Sequence, residues 1–133
     1  MLNAPRDSLT EPVGKVPKVL WAAGAQCSPY QYIVSWQNDN QAEVVGKYAT
    51  DKGYKRVMVI AEDYAFPYSQ VQGFMAEYCK LGGKVPVKAW VPLGGKDYSS
   101  VIAKIPKDVD ALLVVLGGAD AVNFLTQYEN SGG

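Results

Sequence analysis

The sequence contains no histidine. That removes the commonest general base and the commonest metal ligand. It has two cysteines, Cys27 and Cys79, which without histidine cannot form a structural zinc site. Their spacing does not specify a disulfide. The plainest reading makes Cys79 a buried helical thiol and leaves Cys27 in a loop. Neither sign of charge dominates: thirteen Lys and Arg balance thirteen Asp and Glu. With no basic block, nothing marks a nucleic-acid or anionic-membrane partner. No apolar run approaches the roughly 18 residues that cross a bilayer. Residues 1–12 lack the cationic start and apolar core of a leader peptide, so none is expected in that stretch. Gly94-Gly95-Lys96 and Gly117-Gly118 match neither G-x-x-x-x-G-K-[ST] nor G-x-G-x-x-G. No cofactor, metal site or catalytic constellation is therefore expected.

What is present is a rhythm. At 133 residues, 48% hydrophobic and 20% charged, the chain has the size and composition of one soluble α/β-type domain with a real core. Three apolar runs, residues 56–60, 85–91 and 110–115, each open a turn and then a stretch of helical spacing. Strands and helices alternating at this interval predict a three-layer, Rossmann-like (flavodoxin-like) parallel sheet with helices on both faces. Open α/β sheets bind ligands beyond the carboxyl ends of their strands. The turns at 62–68, 92–98 and 116–120 are thus the expected seat of function.

The flanking elements follow from local chemistry. Residues 1–15 read as an irregular linker. Residues 18–21 and 32–36 read as short strands. Asn40-Gln41-Ala42-Glu43 reads as a capping box opening a helix with Ala42, Val45 and Ala49 on its apolar face. A second helix begins near Pro67, presents Val71, Phe74, Met75, Tyr78 and Leu81, and ends at Gly82-Gly83. A third starts around Asp97 to Ser100, presents Val101, Ile102 and Ile105, and stops at Pro106. A fourth starts near Asp120 and presents Ala121, Phe124, Leu125 and Tyr128.

Aromatic residues are the better functional clue. Nine Tyr and three Trp stand against three Phe, and several fall at strand ends. Tyr and Trp combine an apolar body with a polar tip, which suits a pocket for a small organic ligand. Tyr48, Tyr54, Tyr78 and Tyr128 read instead as core or surface. Glu62-Asp63 sits where a Mg²⁺ or phospho-acceptor site would, but carboxylates beside a helix start also serve that helix directly.

Residues 56–66, Arg-Val-Met-Val-Ile-Ala-Glu-Asp-Tyr-Ala-Phe, with Leu81-Gly82-Gly83-Lys84-Val85 behind them, resemble the second lobe of type I periplasmic solute-binding proteins, in the branched-chain amino acid branch of ABC-transporter receptors. Residues 96–105 resemble its Asp-aromatic-Ser-Ser helix start, and residues 110–132 its following strand and helix. Residues 16–25 are similar to the first-lobe strand that ends in a small-residue ligand loop. The resemblance implies two Rossmann-like lobes that close over a ligand by hinge motion, without catalysis. It implies that 16–36 are crossover strands shared with a first lobe, and that 37–133 are a second-lobe α/β domain, incomplete at its carboxyl end. It implies a periplasmic or extracytoplasmic location and ABC-transporter membrane subunits as partners.

The resemblance also assigns ligand positions. Ala23, Gly24, Ala25 and Gln26 fall where small and hydroxyl residues hold the ligand carboxylate. Tyr64 and Phe66 fall on the aromatic turn that covers it. Asp120 falls where an acid holds the ammonium, with Gly117 and Gly118 beside it, and Tyr98 sits at another strand-end turn lining the cleft. For Asp120 the competing reading is a helix cap. Two departures matter: the usual Tyr-Gly turn is Phe66-Pro67, and the Ser/Thr-rich stretch is Ala-Gly-Ala-Gln. Both weaken the case for a free amino acid and favour a more apolar ligand, so the expected solute is an amino acid or a related small organic carboxylate, aromatic ones included. A homodimer covering the unpaired sheet edge is also expected. The alternatives are a stand-alone flavodoxin-like or receiver-type regulatory domain, and a small α/β enzyme.

Overall fold

The computed structural model describes residues 38–133 and, before them, the backbone of two short strands. These are β1 (Lys18–Leu20) and β2 (Gln31–Ile33), which pair in parallel with Lys18 opposite Gln31. The remaining elements alternate: α1 (Asn38–Asp51), β3 (Val57–Glu62), α2 (Ala65–Lys80), β4 (Lys88–Val91), α3 (Ser99–Ile102), β5 (Ala111–Val115) and α4 (Gly118–Asn130). Strands β3, β4 and β5 form a parallel sheet in the order β4-β3-β5. The expected three-layer parallel architecture is thus present, with β3 at its centre. All six β3 residues are buried, as the middle strand of a sheet covered on both faces requires.

The pleat divides β3 between two cores. Val57, Val59 and Ala61 pack against α1 and α2, with Ala42, Ala49, Val71, Phe74 and Tyr78. Met58 and Ile60 face the other way, onto Val91, Tyr98 and Phe124. Each fully buried apolar side chain of this size contributes about 1.5–3 kcal/mol of transfer free energy.

Helix α1 differs from its expected form. It begins at Asn38, two residues before the proposed capping box, and Asp39 Oδ1 accepts the Asn40 amide at 3.1 Å. Its buried face is Asn38, Ala42, Gly46 and Ala49, while Val45 is 43% exposed. The reason is the approach of α2. A β-carbon on Gly46 would lie 2.7 Å from the Phe74 carbonyl oxygen, and one on Gly73 would collide with the Asp39 backbone. The helices approach closely at two points, at each of which a glycine of one meets the backbone of the other, Gly46 against Phe74 and Tyr78 and Gly73 against Asp39, so Gly46, not Val45, faces inward.

Helix α2 buries Pro67, Val71, Phe74 and Tyr78 along the expected face, with Met75 partly covered. Leu81 is exposed at the C-cap. Gly82 turns the chain with φ 91°, and the Tyr78 hydroxyl donates to the Tyr54 carbonyl at 3.0 Å. Cys79 is exposed rather than buried, because it lies about 100° around the helix from Tyr78. Cys27 lies outside the described residues. Helix α3 is a single turn that tightens into i→i+3 bonds at Lys104 and Ile105 before Pro106, and Asp97 Oδ1 accepts the Ser99 amide at its start. In α4, Phe124 is the buried anchor, and Leu125 is exposed instead of inward.

The amino-terminal end of the sheet is braced by one carboxylate. Asp110 Oδ2 accepts the Lys55 amide at 2.7 Å and the Arg56 amide at 2.8 Å. These donors, with the nearby Arg56 and Lys55 charges, hold Asp110 below the ordinary carboxylate value.

Candidate functional site

A parallel sheet delivers every strand-to-helix turn to one edge. The turns after β3, β4 and β5 therefore converge, and polar clamps tie them together. The alternation of β3 carries Glu62 onto the same face as Met58 and Ile60. Its side chain is 1% exposed. Glu62 Oε1 accepts the Gly117 amide at 3.0 Å, whereas Oε2 has no partner among the described residues. Gly117 is exposed and extended, with φ −102° and ψ 154°. A β-carbon placed there would lie 3.8 Å from Oε2 and 4.0 Å from Oε1.

The turn after β3 presents the aromatic pair. Tyr64 and Phe66 are 40% and 41% exposed, with ring centroids 6.4 Å apart and planes 22° from parallel. Burial, then the charge of the neighbouring Glu62 carboxylate and its hydrogen-bonding to the hydroxyl, push Tyr64 above its usual value of 10.0. Asp63 points elsewhere: its Oδ1 accepts the Tyr68 hydroxyl at 2.7 Å. That bond, ahead of burial, raises Tyr68. The Tyr68 ring stacks 4.1 Å from Trp90 on β4, so Asp63 and Tyr68 fasten this turn to the neighbouring strand. The two adjacent acids thus have separate jobs.

Asp120 is 8% exposed, and its Oδ2 accepts the Gly94 amide at 2.6 Å. It makes no side-chain cap to its own helix. Its visible role is to tie the β4–α3 loop to the start of α4. Gly118, at φ 48°, is exposed beside it. Tyr98, expected to line the cleft, is instead inside the core at 1% exposure. Its ring meets Phe124 edge-on at 5.7 Å, and its amide donates to Gln127 Oε1. The short α3 turn, anchored by Val101 and Ile102, draws the ring inward. The hydroxyl has no partner among the described residues, and burial, then Asp120 and Glu62, push it above its usual value.

Of the residues expected at the site, the structure gathers Tyr64 with Phe66, and Gly117 and Gly118 with Asp120, at the carboxyl ends of the strands. Ala23, Gly24, Ala25 and Gln26 lie outside the described residues. Sequence reasoning passed over Glu62 as a site residue in its own right. The available signal was its parity with Met58 and Ile60, which places a carboxylate on an apolar face. Among the described residues no group of three or more acidic or cysteine side chains could hold a metal. The edge offers instead two exposed aromatic rings, a buried carboxylate acceptor, and glycine backbone between them. This arrangement can grip a small, partly apolar molecule.

Comparison with known proteins agrees in family and fold. A family model for periplasmic binding proteins matches residues 12–133. A Leu/Ile/Val-binding protein homologue of Brucella melitensis is 28% identical over 126 residues, covering 90% of this chain and 32% of its own length. An ABC-transporter substrate-binding protein from Sphaerobacter thermophilus has a TM-score of 0.72 at 29% identity, over 80% of this chain and 30% of that one. An ABC-transporter solute-binding protein from Rhodopseudomonas palustris BisB5, in complex with 3,4-dihydroxybenzoic acid, has a TM-score of 0.71 at 26% identity, over 89% of this chain and 34% of that one. The chain spans about a third of the length of the curated relatives it matches.

Proposed function

The chain belongs to the periplasmic binding protein family, and from that premise we propose that it forms the second-lobe ligand surface of a solute receptor for an ABC importer. Its members bind substrate and are not enzymes, and binding without catalysis is the reading adopted for this chain. The observation that carries the reading is the exposed Tyr64–Phe66 pair set beside the Gly117–Gly118 turn at the carboxyl ends of the strands. Aromatic rings with polar groups at their margin suit a small organic acid. We favour an aromatic carboxylate over an aliphatic amino acid, since the second-lobe wall offers two rings and the Ala23 to Gln26 stretch lacks hydroxyls. A related protein that holds 3,4-dihydroxybenzoic acid supports this choice; the Brucella homologue named for Leu, Ile and Val supports the amino-acid alternative. Tyr64, Phe66, Gly117 and Gly118 are assigned to ligand contact, as are Ala23, Gly24, Ala25 and Gln26. Asp120 is assigned to positioning the loop that carries Gly94, and Tyr98 to support beneath it. The location is extracytoplasmic, with transporter membrane subunits as partners of the whole receptor.

The test is a titration of the ¹⁵N-labelled chain with benzoate and with L-leucine, followed by backbone amide shifts. Benzoate-induced shifts confined to residues 23–26, 64–66 and 117–118 are expected. No shift with either compound up to about 10 mM, a free energy of under about 3 kcal/mol, overturns the reading. A second copy is expected along an open edge of the sheet, since among the described strands β4 and β5 each pair with β3 alone and open edges pair readily. Light scattering should give a mass near twice 14.4 kDa, and a monomer at every concentration refutes the dimer.

A further inference from the structure

A buried carboxylate oxygen without a donor is costly, and such atoms in folded proteins call for an explanation. Glu62 Oε2 is one, and the Tyr98 hydroxyl on the same face of the sheet is another. Both lie under the turns that form the candidate site. The cover over Glu62 is thin. On the α4 side it is Gly117, which is exposed and has no side chain. On the β3 side it is Tyr64, 40% exposed and on a turn. The other oxygen is already held by the Gly117 amide, which fixes the carboxylate. Oε2 has no donor at full hydrogen-bond distance among the described residues, and the group beside it is the Tyr64 hydroxyl, whose proton Glu62 helps to hold.

We propose that Glu62 Oε2 is a donor-reading subsite: it accepts a hydrogen bond from an O–H or N–H group on the bound ligand, entering between Gly117 and Tyr64. This rests on the ligand-binding reading above and names what that site selects. A ligand with a hydroxyl or ammonium at this end gives the orphaned oxygen a charge-assisted partner. A bare ring end leaves it unpaired, and a second carboxylate is repelled. The ligand class is thus a small aromatic acid with a donor group distant from its carboxylate.

The test compares matched probes on the full chain by amide-shift titration. One pair, 4-hydroxybenzoate and benzoate, reads a hydroxyl donor. The other, 4-(aminomethyl)benzoate and 4-methylbenzoate, reads an ammonium at the end of the ring distant from the carboxylate. In at least one pair the donor-bearing member is expected to bind about tenfold tighter or more, the scale of a hydrogen bond to a charged group. Two variants should collapse that ratio toward one. Glu62→Gln removes the charge. Gly117→Ala sets a methyl group 3.8 Å from Oε2 at a backbone conformation open to any residue, so it caps the oxygen while the fold persists. A ratio near one in the wild-type chain for both pairs, with binding intact, overturns the subsite and leaves the ligand-binding reading standing. A ratio that survives in Gly117→Ala also overturns it. Failure of all four probes to bind overturns both.

Discussion

Gly46→Ala is a stringent check on the packing of α1 against α2. In an isolated helix the change is favourable by about 1 kcal/mol, because glycine is the poorer helix former. Here the added β-carbon would lie 2.7 Å from the Phe74 carbonyl oxygen, 3.0 Å from the Tyr78 amide nitrogen and 3.3 Å from the Tyr78 β-carbon. Non-bonded heavy atoms of this kind prefer about 3.5–4.0 Å. The two closest atoms belong to the α2 backbone ladder and cannot rotate aside, so one helix must retreat by roughly 1 Å. Retreat loosens the cluster of Ala42, Ala49, Val57, Phe74 and Tyr78. Overpacking costs about 1–3 kcal/mol, and two contacts with backbone that cannot rotate aside put this one in the upper part of that range, about 2–3 kcal/mol, above the propensity gain. A net loss of about 1–2 kcal/mol is expected, or a fall in Tm of about 4–8 °C for a chain of this size. Urea denaturation followed by circular dichroism reads it as a lower midpoint at unchanged slope. A Gly46→Ala chain as stable as wild type, or more so, refutes the close approach. Gly117→Ala is the internal control, with its nearest contact at 3.8 Å and an expected change within about 0.5 kcal/mol.

Asp110 is held below its ordinary value near 3.8 by the Lys55 and Arg56 amides. Its contribution is therefore complete above that value and fades as pH falls through the lower, folded-state value. Asp110→Asn should melt below wild type at neutral pH, and the two melting curves should converge in acid; a gap that stays constant to low pH refutes this. Tyr78→Phe removes the 3.0 Å bond to the Tyr54 carbonyl and should cost about 1 kcal/mol in urea denaturation; no loss would mean that water replaces the hydroxyl. Phe66→Ala, at a 41% exposed position, should leave stability within about 0.5 kcal/mol. It should weaken benzoate binding severalfold in the amide-shift titration, and unchanged affinity would remove Phe66 from the site.

The sheet was legible because burial on both faces leaves an uninterrupted apolar strand, as in Val57 to Ala61, and because Pro67, Gly82 and Pro106 punctuate the helices. The α1 face was not. Its orientation depends on two backbones meeting at Gly46 and Gly73, which lie far apart in sequence and give no periodic signal. Val45 fits the helical period as well as Gly46 does, and tertiary approach decides between them. At the candidate site, the sequence showed that the turn after β3 is aromatic, and the family resemblance assigned Tyr64 and Phe66 to the ligand. The pairings of Glu62 with Gly117 and of Asp120 with Gly94 could not, since each joins residues that meet through strand order alone. Tyr98 was misplaced for a related reason: its turn sits at the functional edge, but a one-turn helix points its ring into the core.

These pairings give the edge a common logic. Glu62 with Gly117 ties the end of β3 to the turn after β5. Asp120 with Gly94 ties the start of α4 to the turn after β4. Tyr68 stacked on Trp90, and held by Asp63, ties the turn after β3 to β4. The carboxyl-terminal ends of the three strands, taken with the turns that follow them, are thus linked in each pairwise combination. Glycine supplies the donor in the two carboxylate clamps, so the acids bond backbone, which cannot swing away as a side chain can. The turns are therefore placed when the sheet folds rather than when a ligand arrives. The entropy of ordering them falls on folding, where the core of β3 offsets it, and the affinity of the edge is correspondingly less reduced. The exposed Phe66 ring takes part in none of these clamps, so on the proposed ligand-binding reading it is the part that can adjust to a ligand's shape.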